Sequence, residues 1–357
     1  MEVTKPDYFD RFRCLAGECP DSCCKDWQVQ VDEASARCYR ALTGAFGEEL
    51  RAALRQEDGE TYLTVQDGRC PMWRRDGLCR IQAELGEKAL CEPCRQFPRL
   101  THDYGDFVEL GLELSCPEAA RWILDEKSSY VTEKIPGGEA PEYDREAMAV
   151  LKRTRTQALE ILNETDISRA LSLLLLYGCQ AQGELDGEEE RPFDWGAAWE
   201  TARAMAQPGD PAAVLEFFSG LEILTDAWRQ RLKAPEAGEW DCRTGNLLRY
   251  LVNRYWLQAV SDYDLYGRVK FMVISALVLR TLGGISGKRP SFFPKKSKMT
   301  RRIWMPFWMP PMKTRRLPMP SCWGYCYKNA PQALPAAHTI LLIFPESQRS
   351  RHWPVRS

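Results

Sequence analysis

The chain has 357 residues, which is enough for one large domain or two ordinary ones. Hydrophobic residues make up 44% and charged residues 27%, a composition that is typical of a folded globular protein and excludes a wholly disordered chain. The longest apolar runs, at residues 173–177 and 271–279, are too short to cross a bilayer, and the charged first dozen residues do not resemble a secretory signal, so we expect a cytoplasmic protein.

Cysteine is the unusual residue type of this sequence. Fourteen cysteines are present, and ten of them lie between Cys14 and Cys116. In a reducing compartment, cysteines at this density more often bind metal than form disulfides. A disulfide framework is one alternative, and thiols that are buried simply as small apolar side chains are another. The isolated Cys179 and Cys242 are interpreted as ordinary core or surface residues.

Short elements are predicted along the cysteine-rich residues 1–127. Residues 61–65 form a candidate strand. Asp76-Gly77 predicts a tight turn, because glycine tolerates the positive φ that such turns need. Leucine at every second position of residues 110–114 predicts a half-buried strand.

A helix is predicted to begin at Pro117. Proline suits the first turn of a helix, and Ser115 with Glu118 has the spacing of a capping box. The partial positive charge at a helix N-terminus lowers the pKa of a nearby thiol. This position therefore favours Cys116 as a metal-bound thiolate.

Beyond a linker predicted at residues 128–142, the pattern becomes helical over residues 143–284. Apolar residues recur there at intervals of three and four, which indicates helices that each bury one face, the last being an amphipathic helix that reaches Leu282. The faces comprise Ile167, Leu171, Leu174 and Leu175; Leu248, Leu251, Val252, Tyr255, Trp256 and Ala259; and Leu265, Val269, Met272, Ala276 and Leu279. The predicted fold is mainly α: a helical bundle that follows a small irregular α+β cysteine-rich metal module.

Residues 285–357 differ from everything before them. They contain 14 Lys and Arg and a single acid, Glu346, together with 11 of the 23 prolines, and they show no helical or strand period. We interpret them as a tail that is disordered or that derives from a shifted reading frame. A basic, aromatic arm for nucleic acid or an acidic partner is the functional alternative, and it lacks the spacing of a binding groove.

The spacing of the cysteines constrains how they can meet. Four thiolates bind one zinc ion or one iron–sulfur cluster, and the spacing does not decide between the two. A straight helix between Cys79 and Cys91 would hold them roughly 16 Å apart. We therefore predict a corner near Gly86, which can end a helix and return Cys94 toward Cys79. Neighbours in an extended segment point apart, so Cys23 and Cys24 are predicted to play different roles.

Several of these motifs resemble one protein family. The first block contains Phe12-Arg13-Cys14, Cys19, Asp21-Ser22-Cys23-Cys24 and Trp27. The later blocks are Cys70-Pro71, Asp76-Gly77-Leu78-Cys79-Arg80-Ile81, Cys94-Arg95-Gln96-Phe97-Pro98-Arg99, Leu114-Ser115-Cys116-Pro117-Glu118-Ala119-Ala120-Arg121, Tyr263-Asp264-Leu265-Tyr266 and Val269-Lys270-Phe271. In this order they resemble the flagellin lysine-N-methylase family, whose members carry a zinc- or iron-chelating CxxCxxCC domain.

The resemblance implies a metal-ligand set and an activity. Cys38 and Cys91 fall outside the family motif, and the candidate ligands are Cys14, Cys19, Cys23, Cys24, Cys70, Cys79, Cys94 and Cys116. The implied activity is methyl transfer from S-adenosylmethionine to surface lysines of flagellin, with an iron–sulfur cluster of the 4Fe-4S type, or zinc as the alternative. Flagellin is then the partner, and neither a membrane nor nucleic acid is expected. A non-enzymatic zinc- or iron-chelating or redox module that docks a protein partner is the competing hypothesis.

No catalytic residue is predicted. The sequence contains no glycine-rich fingerprint after a strand that would place S-adenosylmethionine. Gly283-Gly284 follows a predicted helix and is interpreted as its C-cap. The family resemblance also implies further helices beyond Leu282, where this chain instead becomes basic and rich in proline.

Overall fold

The structure is a computed structural model that describes residues 1–24, 28–206, 215, 216, 218, 219 and 226–284. The chain divides into two compact units. The first takes Met1–Tyr143 as its main segment, and the second takes Asp144–Leu221 and Arg229–Gly284. The predicted tail at residues 285–357 lies outside the described residues. The described part of the chain is mainly helical, with two small sheets.

The first unit mixes short strands with short helices. Its strands are β1 (Glu2–Pro6), β2 (Val29–Val31), β3 (Leu54–Glu57), β4 (Glu60–Leu63), β5 (Arg99–Asp103), β6 (Phe107–Leu112) and β7 (Tyr130–Lys134). Its helices are α1 (Glu33–Ala41), α2 (Gly44–Ala52), α3 (Arg80–Leu85), α4 (Glu92–Gln96) and α5 (Pro117–Asp125). The predicted strand at residues 110–114 is present as β6, which begins three residues earlier and ends at Leu112.

A four-stranded sheet has the order β5-β6-β1-β7, in which β1 runs parallel to β6 and antiparallel to β7. Strand β7 corrects the prediction of a linker at residues 128–142. All five of its residues are exposed, so it lacks the alternation that marks a half-buried strand. Backbone pairing with β1, from Glu2↔Lys134 to Pro6↔Tyr130, holds it in place instead.

A three-stranded sheet has the order β2-β4-β3. Its hairpin turns at Asp58-Gly59, whose φ angles of 51° and 83° are both positive. Asp-Gly is the pair that this two-residue turn favours. The hairpin places β4 at Glu60–Leu63, one residue earlier than the predicted strand at residues 61–65.

Helix α5 begins at Pro117 as predicted, but its cap differs from the prediction. Cys116 is the N-cap residue, and the buried Ser115 hydroxyl has no hydrogen-bond partner among the described residues. The Glu118 carboxylate accepts bonds from Arg121 Nη2 at 2.6 Å and Trp122 Nε1 at 2.8 Å. The capping box fails because Glu118 turns along its own helix to these two donors.

The secondary-structure elements of the second unit are all helices among its described residues. It contains α6 (Arg145–Glu164), α7 (Ile167–Leu185), α8 (Trp195–Met205), α9 (Asp226–Lys233), α10 (Cys242–Tyr255) and α11 (Leu265–Thr281). Helix α9 begins three residues before Arg229, where the second segment of this unit starts. The three predicted faces fall on α7, on α10 with the short 3-10 turn after it, and on α11. Gly283 and Gly284, at φ 97° and 72°, end α11 as the predicted C-cap. Their N–H groups bond to the carbonyls of Arg280 and Leu279.

Helix α11 is enclosed along its whole length. The sequence predicts an amphipathic helix here, yet each of its residues is buried or half-buried. Its partner α7 approaches closely at Gly178, where a Cβ atom would lie 2.8 Å and 2.9 Å from the two methyl groups of Val269. Glycine is therefore required at this point for the two helices to pack.

Replacing Gly178 with alanine is expected to lower the free energy of unfolding by about 1–3 kcal/mol, because the new methyl group overpacks against the stiff Val269 side chain. Denaturant unfolding measures the loss, and adding Val269→Ala should restore part of it. Gly183→Ala on the same helix is the matched control, since its Cβ meets only the flexible carboxylate of Glu188. An equal loss in both variants would show that the helix contact at Gly178 is not the cause.

A buried polar pair joins α6 to the end of α10. Trp256 is fully buried, and its Nε1 donates to Thr154 Oγ1 at 3.0 Å. The Thr154 hydroxyl in turn donates to the Val150 carbonyl at 2.8 Å. The indole N–H of Trp256 thus depends on this one hydroxyl as its acceptor.

We expect Thr154→Val to destabilise the protein by about 1–3 kcal/mol, because it keeps the side-chain shape and leaves the Trp256 N–H buried without an acceptor. Thermal and denaturant unfolding would measure the change. Thr156→Val provides the control, because Thr156 is exposed on the same helix and its hydroxyl bonds only to the Lys152 carbonyl. A stability loss below that of the control would contradict the role given to Thr154.

Candidate metal centre

The loop between Cys70 and Cys79 brings these two cysteines together. It turns at Gly77, whose φ is 83°, so the turn predicted at Asp76-Gly77 is confirmed. The Arg80 N–H donates to the Met72 carbonyl at 2.8 Å and closes the loop. At its start, the Cys70 N–H donates to the Cys24 carbonyl at 2.7 Å, which joins the loop to the first cysteine segment.

Cys91 and Cys94 return to the same place through a corner. Helix α3 ends at Leu85, and Gly86 follows with a φ of 85°. The predicted corner is therefore confirmed. Cys91 is the N-cap residue of α4, and Cys94 lies in its first turn.

Six cysteines form what we call the thiol cluster: Cys23, Cys24, Cys70, Cys79, Cys91 and Cys94. Cys24 hydrogen-bonds with both Cys23 and Cys79, and Cys91 hydrogen-bonds with Cys94. Cys70 interacts electrostatically with Cys79 and Cys91, and Cys94 with Cys79. Five of the six, all but Cys23, also belong to the apolar core of the first unit. The cluster thus draws on three separate segments of the chain.

Ionisation within the cluster is uneven. A hydrogen bond from the Cys24 thiol lowers the pKa of Cys79 to about 6, and a bond from Cys94 lowers the pKa of Cys91. The pKa of each donor thiol changes in the opposite direction, because its hydrogen bond to a neighbouring cysteine raises the pKa of Cys24 and of Cys94. Burial raises the pKa of Cys70 to about 11. Several buried thiolates can therefore coexist here only beside a compensating cation.

Backbone N–H groups point at the sulfur atoms. Met72 donates to Cys70, Ile81 and Gln82 donate to Cys79, and the Cys94 N–H donates to Cys91. Each donor lies two or three residues beyond its cysteine, an arrangement produced by the turn or first helical turn that follows. Such bonds stabilise thiolates and tune the sulfur ligands of metal centres.

A second thiol group comprises Cys14, Cys19 and Cys116. Cys116 interacts electrostatically with Cys19 and Cys14, and Cys19 interacts in turn with Cys23 of the cluster. The Ala16 N–H donates to Cys14 Sγ at 3.4 Å. Cys116 lies at the N-terminus of α5 as predicted, but burial outweighs the effect of the helix N-terminus and raises the pKa of its thiol to about 11.

The thiols lie close together, but their positions are not those of metal ligands. In the part of the chain that the structure describes, no three His, Cys, Asp or Glu side chains are arranged so that they could hold a metal ion. Several cluster thiols instead hydrogen-bond to one another, Cys24 with Cys23 and Cys79, and Cys91 with Cys94. Metal ligation requires thiolates, so binding would displace the protons of these hydrogen bonds. The all-sulfur donor set and its N–H donors fit a zinc ion or an iron–sulfur cluster.

The candidate ligands differ from the sequence prediction in one respect. Cys91, which the family motif leaves outside the set, is 1% exposed, and its thiol is hydrogen-bonded to that of Cys94. Its signal was the Cys91-Glu-Pro-Cys94 spacing, a common metal-binding pair. Cys38 lies exposed on α1, Cys242 is exposed at the start of α10, and Cys179 is half-buried on α7.

Comparisons with known proteins place the chain in a family. It is 35% identical over 133 residues to the flagellar biosynthetic protein FliU of Salmonella muenchen, a match that covers 35% of this chain and 79% of FliU. The chain belongs to the FliU and lysine-N-methylase family. Lysine-N-methylases of Salmonella typhimurium and Salmonella choleraesuis match at 35% and 34% identity over 133 residues. This chain spans 33% of the length of each of these two methylases.

Two other comparisons found nothing similar: no family model and no solved structure matches the chain. Across the described residues of this family member, the longest and most apolar helices still fall short of what a membrane crossing requires.

Proposed function

We propose that this protein is a lysine N-methyltransferase that acts on flagellin, with S-adenosylmethionine as the methyl donor and a thiolate-bound metal centre in its first unit. Membership in the lysine-N-methylase family carries the proposal. The names of the Salmonella relatives support lysine methylation and a role in flagellar biosynthesis, and flagellin as the substrate rests on the motif resemblance. The methyl donor rests on the motif resemblance alone.

The metal centre would be held by thiolates of the first unit. Cys79 and Cys91 are its first ligands, because their pKa values are already lowered. Cys24, Cys70 and Cys94 adjoin them, and Cys23, Cys14, Cys19 and Cys116 complete the candidate set. When bound, the metal would supply the positive charge that lets these buried thiolates coexist, and it would cross-link the segments that carry them.

The transfer reaction requires a neutral lysine amine in line with the methyl group. The protein must therefore desolvate the ammonium group of the substrate or accept its proton. Acidic and aromatic side chains are the groups that perform this task while still attracting the charged form of the amine.

A second function is favoured by a specific observation. The thiols of the cluster all lie in the first unit, which brings them together within its own core. A metal-binding or redox module of this kind needs no methyl donor. The alternative is therefore a non-enzymatic metal protein that docks a partner.

A label-transfer assay distinguishes the methyltransferase from the non-enzymatic metal protein. Protein purified without oxygen is incubated with methyl-labelled S-adenosylmethionine and flagellin, and flagellin is then digested and mapped by mass spectrometry. We expect label on flagellin lysines and none on flagellin whose lysines have been acetylated. Metal-loaded protein that transfers no label would overturn the methyltransferase proposal and favour the metal module.

A further inference from the structure

The second unit contains a cleft with a volume of about 360 Å³. Helices α6 and α7 form two of its walls, and residues 190–193 form the third. The residues that matter here are Glu160 and Arg153 of α6, Tyr177 and Glu184 of α7, and Phe193. The cleft opens to solvent, so a side chain of another protein can enter it.

Tyr177 gives the cleft an aromatic wall with a polar end. The residue is 3% exposed, and its ring lies against Phe193 with centroids 5.0 Å apart and against Trp256 at 6.4 Å. Its side chain lines the cleft, and its hydroxyl makes no hydrogen bond to another described residue. Burial, followed by the nearby Glu184 carboxylate, raises the pKa of Tyr177, so the hydroxyl stays neutral. This neutral hydroxyl can therefore accept a hydrogen bond from a group that enters the cleft.

The charges of the lining favour a cation. Glu184, whose side chain is 3% exposed, pairs with Arg153 at 2.7 Å, and Arg153 also contacts Glu190 at 3.2 Å. These bonds leave Arg153 neutralised by two carboxylates. Arg191, the other arginine of the lining, pairs with Glu188 at 3.2 Å. Glu160 is different, because among the described residues its carboxylate accepts a hydrogen bond only from the neutral Gln157 amide, at 2.8 Å. Its negative charge is thus available to a guest.

We propose that this cleft binds the side chain of a substrate lysine, with its ammonium group between the Tyr177 hydroxyl and the Glu160 carboxylate. The aliphatic stem of the lysine would pack on the rings of Tyr177 and Phe193, which also attract its charge. The ammonium group donates hydrogen bonds to both oxygens. This site deepens the proposed function, on which it rests, by naming where the substrate amine is recognised.

Binding is measured separately from catalysis. The probe is a fluorescent Gly-Gly-Lys-Gly-Gly peptide, titrated with the full chain and compared with the same peptide carrying acetyl-lysine, which lacks the charge. We expect the lysine peptide to bind and the acetyl-lysine peptide to bind at least about 10-fold more weakly. Glu160→Gln and Tyr177→Phe should each weaken binding of the lysine peptide about 3-fold to 10-fold or more.

Glu164→Gln is the matched control, since Glu164 is exposed one helical turn from Glu160 and does not line the cleft. It should leave binding unchanged. Circular dichroism confirms that each variant is folded. Both cleft variants are expected to fold, because Tyr177→Phe keeps the buried ring and Glu160→Gln changes only an exposed charge.

Three outcomes decide the matter. Unchanged peptide binding in both cleft variants overturns the site, even if methyl transfer to flagellin proceeds. A wild-type protein that binds neither peptide overturns it as well. Peptide binding that depends on Glu160 and Tyr177, in a protein that transfers no methyl group, supports the site and rejects the proposed reaction instead.

Discussion

Replacing Cys79 with serine is expected to abolish binding of the proposed metal. The pKa of its thiol is lowered to about 6, and the thiol hydrogen-bonds with Cys24 and interacts electrostatically with Cys70 and Cys94. Serine keeps the size of the side chain but supplies no thiolate. Because even partners that only support a ligand change metal affinity about 10- to 100-fold, loss of the ligand itself should exceed 10-fold. Metal content per chain, measured after gel filtration, checks the prediction.

The same substitution should destabilise the first unit, since metal binding contributes directly to the folding free energy of small thiolate sites. Chelation of the wild-type protein should reproduce this loss. Cys38→Ser is the control, because Cys38 is exposed on α1 within the same unit. Equal metal content in Cys79→Ser and Cys38→Ser would remove Cys79 from the ligand set.

Asp262→Ala should cost about 1.5–3 kcal/mol of unfolding free energy, because it removes the carboxylate that accepts two hydrogen bonds from the buried guanidinium of Arg268. Arg268 is 1% exposed, and two of its nitrogens donate to the two Asp262 oxygens at 2.8 Å and 3.0 Å. It also donates to the carbonyls of Asp264 and Gln258, at 2.6 Å and 3.1 Å. This network fixes the start of α11. Denaturant unfolding with an unchanged m-value measures the loss.

Two further variants test that assignment. Adding Arg268→Met to Asp262→Ala removes both charges and should recover part of the stability. Glu200→Ala breaks the exposed pair of Arg203 with Glu200 and should change stability by less than about 1 kcal/mol. A loss for Asp262→Ala as small as that of Glu200→Ala would mean that the buried charge is solvated by other groups.

Local chemistry made part of this architecture predictable. The 3.6-residue period places helices on α7, α10 and α11, because their burial follows spacing along the chain. The turn at Gly77 and the corner at Gly86 were predictable, because both positions adopt a positive φ that glycine permits without strain.

Features that depend on distant partners were not predictable. Strand β7 is exposed on every residue, so nothing in its own sequence shows that β1 pairs with it. The predicted capping box at Ser115 is absent, because the Glu118 carboxylate accepts hydrogen bonds from Arg121 and Trp122 instead. The family motif also left out Cys91, whose place in the cluster depends on how α4 packs.

Metal analysis with an absorption spectrum tests the central claim most directly, namely that thiols of the first unit hold a metal centre. We expect protein purified without oxygen to contain about one centre per chain: brown with iron and sulfide, or colourless with zinc. The Cys79→Ser protein should contain far less. Folded, pure protein with neither iron nor zinc would contradict the account.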